Sequence, residues 1–218
     1  MAFPTSHYNK AEGPRDSTQD EYAKGTASEL QFKSMVTGHT VTFKAFITNF
    51  GQQFQSTWNS EDVFGRMDSI ATFQGTKRTI SLEWAIPAES LGVAKNNMAM
   101  LNGLGTMLYP GYTGDKLRIG QETLTNASSI AKPPLIKIKY ANLITSNNGD
   151  DGLLGYVDGF NITPDLDVGS FIEGENHYPK AYSVSCNFTV LHQNDLGFDN
   201  NGNWIDGDGY KKWIFGEE

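Results

Sequence analysis

Polar and apolar residues alternate without a break near the middle of this chain. Ile80, Leu82, Trp84 and Ile86 share one face, and Thr79, Ser81 and Glu83 share the other. A period of two is what a strand with one buried and one wet face requires, because successive side chains leave a strand on opposite sides. The pattern recurs. Ile136, Ile138 and Tyr140 alternate with Lys137 and Lys139, and Tyr182, Val184, Cys186, Phe188 and Val190 alternate with Ser183, Ser185, Asn187 and Thr189. Upstream, Val41, Phe43, Ala45 and Ile47 oppose Thr40, Thr42, Lys44 and Thr48, and residues 156–162 read as a further strand interrupted by Gly159. Residues 70–73 read as the hairpin partner of 77–86, with Gln74, Gly75 and Thr76 as the loop.

A different period occupies one segment. Leu91, Ala94, Met98, Leu101 and Leu108 recur at helical spacing, after Pro87 and a start signal at Glu89 or Ser90. Gly103 and Gly105 weaken the end and Pro110 stops it, which places a helix over about residues 89–108, laid on a sheet. The expected organisation is an N-terminal arm (1–29), a β domain (30–193) and a tail (194–218) rich in Asp, Asn and Gly. The tail aromatics Phe198, Trp204, Tyr210, Trp213 and Phe215 are expected to dock on the domain or on a neighbour.

With 38% hydrophobic and 19% charged residues, the chain is too apolar for disorder. A net charge of -8 opposes nucleic-acid binding over the whole surface. No run approaches the length of a membrane span and residues 1–10 lack a signal-peptide core, so folding in a cytoplasm is expected. Cys186, the single cysteine, falls in an alternating run and reads as a buried, inert thiol.

The motifs of catalysis are missing. His7, His39, His177 and His192 are scattered outside any HExxH, and neither a phosphate-binding glycine loop nor a GxSxG elbow occurs. Glu83, the one carboxylate worth weighing as half of a glycosidase pair, is explained by its place on the polar side of a strand. Asp199, Asn201, Asn203 and Asp206 resemble the opening of a calcium loop. Trp204 stands where the tight turn wants Gly, and Tyr210 where the bidentate Glu belongs, so Asx turns account for the run. Neither a catalytic residue, a metal nor a cofactor is expected.

The stretch from Phe64, Gly65 and Arg66 through Asp68, Gln74, Lys77, Arg78, Thr79 and Ile80 to Trp84 resembles the tail-tube initiator, or baseplate tube-cap, proteins of contractile-tail bacteriophages. An apolar helix ending at Leu108, Tyr109 and Pro110 and the run from Gly155 to Phe160 follow in the same order, so the likeness covers roughly residues 31–197. It implies an antiparallel β-sandwich or half-barrel with one flanking helix. It further implies a hexameric ring in the virion that joins the baseplate hub to the tail tube, templates the tube and lets DNA pass an acidic lumen without specific binding. The assembly contacts implied are Phe64, Gly65, Arg66, Asp68, Gln74, Lys77, Arg78 and Trp84, to which the tail adds Trp204 and Trp213. A tail terminator or tube protein is the nearest alternative. A carbohydrate-binding β-sandwich, suggested by the aromatic tail and the Asp/Asn loop, is the alternative from another class.

Overall fold

The computed structural model describes residues 29–44, 46–112, 117–119, 122–124, 130–145, 152–193 and 196–205. The expected arm, apart from Glu29, lies outside these residues, as do Ala45, Asp206 and Trp213. The strands are β1 (Glu29–Ser34), β2 (Thr40–Lys44), β3 (Phe46–Glu61), β4 (Ile70–Pro87), β5 (Gly111–Tyr112), β6 (Leu117–Ile119), β7 (Glu122–Leu124) and β8 (Ile130–Lys132). They continue with β9 (Ile136–Tyr140), β10 (Leu153–Pro164), β11 (Ser170–Glu173), β12 (Asn176–Pro179), β13 (Ala181–Val190), β14 (Gly197–Phe198) and β15 (Trp204–Ile205). A helix, α1 (Leu91–Thr106), follows β4. The fold is mainly β, as the alternation requires.

Seven strands form one antiparallel sheet in the order β2-β1-β9-β10-β13-β4-β3. β2 and β3 are its two edges, yet one residue separates them in sequence. A single residue spans only about 7 Å between its neighbours' Cα atoms, so the sheet must curl until the end of β2 lies close to the start of β3. Two layers result, β2-β1-β9 against β13-β4-β3. Aromatic rings join them: Phe32 of β1 stacks on Trp84 of β4 at 5.5 Å, and Phe43 of β2 lies 5.9 Å from the same indole. The alternating residues Ile80, Leu82, Ile136, Ile138, Val184, Cys186 and Phe188 fill the space between, each large side chain contributing roughly 1.5–3 kcal/mol.

β10 carries the chain from one layer to the other. Gly155 pairs with Ile136 of β9 on one side and with Val190 of β13 on the other. A Cβ there would stand 2.1 Å from the Thr189 carbonyl oxygen and 2.5 Å from the Phe188 ring, so only glycine lets the strands close at this point. A bulge between Val157 and Phe160 then re-aims β10, placing Phe160 5.6 Å from Phe32.

α1 starts where β4 finishes and runs back along the sandwich, its Gly103 reaching Val41 of β2 and His39 of the β1–β2 turn. The Ser90 side chain accepts a hydrogen bond from the Val93 amide as the N-cap. Ala94, Asn97, Leu101 and Leu104 are the buried face, and the Asn97 amide donates to the Pro87 carbonyl (3.1 Å). Met98, expected on that face, is 40% exposed. The β11–β12 hairpin lies along the helix, held by the Lys95–Glu173 ion pair and by Lys95 over the Tyr178 ring.

Two expected strands are corrected. Residues 70–73 and 77–86 are not the arms of a hairpin but one continuous strand, β4, paired with β3. Thr57 faces Gly75 and Trp58 faces Phe73, so Gln74 is the extra residue of a bulge; a glycine inside a strand marked irregular pairing, not reversal. Residues 40–48 are likewise not one strand, since β2 ends at Lys44 and β3 begins beyond residue 45 on the other edge.

Candidate functional site

The β3–β4 hairpin is longer than the core it covers. Beyond Arg78 its strands leave the sandwich, and residues 70–77 of β4 with their partners on β3 form a two-stranded arm extending about 26 Å at 3.3 Å per residue. The reversal lies at residues 62–69, where Phe64 and Met67 are fully exposed and the Arg66 amide donates to the Val63 carbonyl. The Phe64-Gly65-Arg66 motif is therefore the tip of the arm, with Gly65 in the left-handed region at φ 88°.

One side of the arm continues the core-facing side of the sheet. The row Phe50, Gln52 and Phe54 on β3 leads past the bulge to Trp58, whose ring meets Phe73 edge-on at 5.2 Å. Trp58 is 59% and Phe73 53% exposed. The sequence placed large apolar groups on the core-facing side of a segment that has no core beneath it.

Where the arm leaves the core, Arg78 is 2% exposed. It donates to Gln52 Oε1 from Nε (3.1 Å) and Nη2 (2.7 Å) and lies over the Phe54 ring. Burial lowers its pKa to about 10, which leaves the guanidinium charged at neutral pH. Arg78 and Trp84, expected at contacts with a neighbour, are thus inside the chain: Arg78 closes the open end of the core and Trp84 is its central ring. Gln74 and Lys77 are exposed on the arm, and Asp68 lies at its tip.

The opposite side of the sheet is mostly polar, with Phe46, Ala85 and Tyr156 as its apolar members. Asn49, Gln53 and Gln55 of β3 share it with Lys77, Thr79, Ser81 and Glu83 of β4, Ser183, Ser185, Asn187 and Thr189 of β13, and Asn161 and Thr163 of β10. It carries a shallow, open cleft of about 520 Å³ bordered by Asn49, Ser81, Glu83, Asp158, Asn161 and Asn187. Hydroxyls and amides outnumber the two carboxylates, Glu83 and Asp158, along the cleft. Glu83 sits where the alternation placed it, among amides.

The four strands β10, β13, β4 and β3 alternate in direction. Among the described residues, β3 pairs on one side only, and β10 beyond Gly155 has β13 as its sole partner. The two free edges therefore run in opposite directions and flank one polar face.

The Asp/Asn run turns between β14 and β15. Asp199 Oδ1 accepts from the Asn201 and Asn203 amides (2.8 and 2.7 Å) and Oδ2 from Asn203 Nδ2 (3.0 Å). These bonds, the Asn203 backbone amide foremost, hold the carboxyl below its usual range. The carboxylate organises its own turn, as Asx chemistry does. Trp204 pairs through its backbone with Phe198; Asp206 and Trp213 lie outside the described residues. Among those described, no three His, Cys, Asp or Glu residues converge on a metal-sized site, and no helix is long and apolar enough to cross a membrane.

Set against protein-family models and against curated proteins, the sequence matches none.

Proposed function

We infer that the chain is a structural protein acting by ring assembly, with the free edge of β3 in one copy pairing with the free edge of β10 in the next. The observation that carries this reading is the pair of opposed edges flanking a single polar face. Rotation about one axis preserves strand direction, so an upward β3 meets a downward β10, and the sheet continues antiparallel from copy to copy. Closing the ring removes the edges that the separate chain leaves bare.

The width is compatible with the six copies that the resemblance implies. Four strands at about 4.8 Å give each copy roughly 19 Å of circumference. Six copies then make about 115 Å, a backbone diameter near 37 Å before strand tilt enlarges it. A channel of that width, lined by amides and hydroxyls, admits a DNA duplex and offers it no cluster of cations to bind. Placed with the resemblance of the Phe64 to Trp84 stretch, this is a ring of a phage tail tube. At the baseplate end it joins hub to tube and templates the tube's first ring, and it does so without catalysis.

The test is mass determination and negative-stain microscopy of the full chain, beside a variant with proline at Gln53 and Gln55 on the outer half of β3. Channelled rings for the native chain and monomers for the variant support edge pairing. Rings that persist in the variant place the contact elsewhere.

A further inference from the structure

Among the described residues, the two ends of the sheet carry the same sign of charge. β4 runs from the arm tip to the start of α1, so residues 61–68 and the segments beside the N-terminus of α1 stand at opposite ends of the sheet. At the tip, Glu61, Asp62 and Asp68 outnumber Arg66 and surround the fully exposed Phe64 and Met67. Where β4 finishes, Glu29, Glu89, Asp165, Asp167, Glu173 and Glu175 outnumber Lys44, Lys95 and Lys180, and one of those lysines is already engaged with Glu173. Leu166, Val168 and Ile172 are exposed between the acids. Stacking one copy tip-to-helix on another would bring two apolar surfaces together inside two rims of like charge. Juxtaposed like charges exclude wrong partners while leaving the apolar anchors available to a right one.

We propose that the arm tip docks into a different protein, one whose receiving surface offers apolar pockets for Phe64 and Met67 within a basic rim, and that like charge stops copies of this chain from stacking on themselves. The inference rests on the ring reading for its geometry and adds the chemistry of the axial partner. It gives a single ring rather than a self-propagating tube.

The test compares the full native chain with D62K/D68K, which reverses the sign of the tip outside the core, by sedimentation and microscopy. In about 10 mM salt, where charges act over about 30 Å, the variant is expected to stack on its own acidic helix ends, raising its average mass at least about twofold over the native chain. In about 1 M salt the difference should vanish, the screening length being about 3 Å. As a stand-in for the basic partner, D167K/E175K mixed with the native chain should co-sediment with it in low salt. Native chains that stack in low salt as far as D62K/D68K, or a D62K/D68K variant no larger than native, overturn the inference. Absence of rings in every sample counts against the ring reading alone, because head-to-tail pairing of single chains obeys the same charge rule and the masses still decide.

Discussion

The Trp58 and Phe73 rings meet edge-on at 5.2 Å across two strands that have already left the core, and both stay more than half exposed. Such a pair contributes roughly 0.5–1.5 kcal/mol within one chain, too little to explain two large aromatics on an arm. Under the proposed ring assembly, their use lies in contact with another molecule. W58A/F73A should therefore leave urea unfolding of the separate chain within about 1.5 kcal/mol of native while reducing the ordered assemblies seen by sedimentation. Unchanged assembly would remove the arm's apolar side from the interface.

Arg78 and Gln52 make the base of the arm. Removing the acceptor while keeping the buried guanidinium is the damaging change, because a hydrogen bond to a charged group is worth about 1.5–3 kcal/mol. Q52A should destabilise by about that amount. R78M removes the buried charge together with its need for an acceptor and keeps the packing, so it should destabilise less than Q52A. Chemical denaturation of both variants decides the order.

Gly155 tests the crossing between layers. A methyl group there meets a backbone oxygen at 2.1 Å, and neither partner strand can yield without losing its pairing. G155A should cost about 1–3 kcal/mol or more, the usual penalty of overpacking, and an alanine at the open position Gly159 should cost far less. Equal effects would contradict the crossing point described for β10.

Cys186 sets a pH dependence. Burial pushes its pKa from 9.0 up to about 12. Between those values the unfolded thiol ionises and the folded one does not, so the folded chain binds more protons and stability must fall as pH rises. The slope approaches about 1.4 kcal/mol per pH unit. C186V should flatten it between pH 9 and 10. Above that, Tyr182, whose pKa is also raised by burial, adds a loss of the same sign. Alkylation of native Cys186 should be slow at pH 8 and rapid after unfolding.

The sandwich could be read from the sequence wherever a strand lies over the core, because burial there imposes the period of two; β4 from Ile80 to Ile86, β9 and β13 are the cases. β3 was not legible. Most of it lies on the arm or on the polar side, so residues 49–61 alternate amides and hydroxyls on one side with scattered aromatics on the other, and no burial enforces the pattern. Gly75 misled for a related reason: its dihedral freedom suits a turn and a bulge equally, and only the distant partner strand decides. The helix was placed within two residues of its bounds, but its buried face includes Asn97, which hydropathy assigns to solvent and the Pro87 carbonyl draws inward. Of the site, the Phe64-Gly65-Arg66 motif falls at the tip of the arm. Trp84 and Arg78 in the same stretch turned out to be core, since a motif does not distinguish a residue that makes contacts from one that supports them. The opposed free edges of β3 and β10 depend on strand order, which no local pattern encodes.

The central claim is that the polar face of β10-β13-β4-β3 closes on itself between copies. Electron microscopy of the purified full chain, with its mass in solution, tests this most directly. The expected result is a closed ring of six copies around an open channel, the arms rising from one side. A chain that stays monomeric at every concentration, or a dimer with its two polar faces packed against each other, would contradict it.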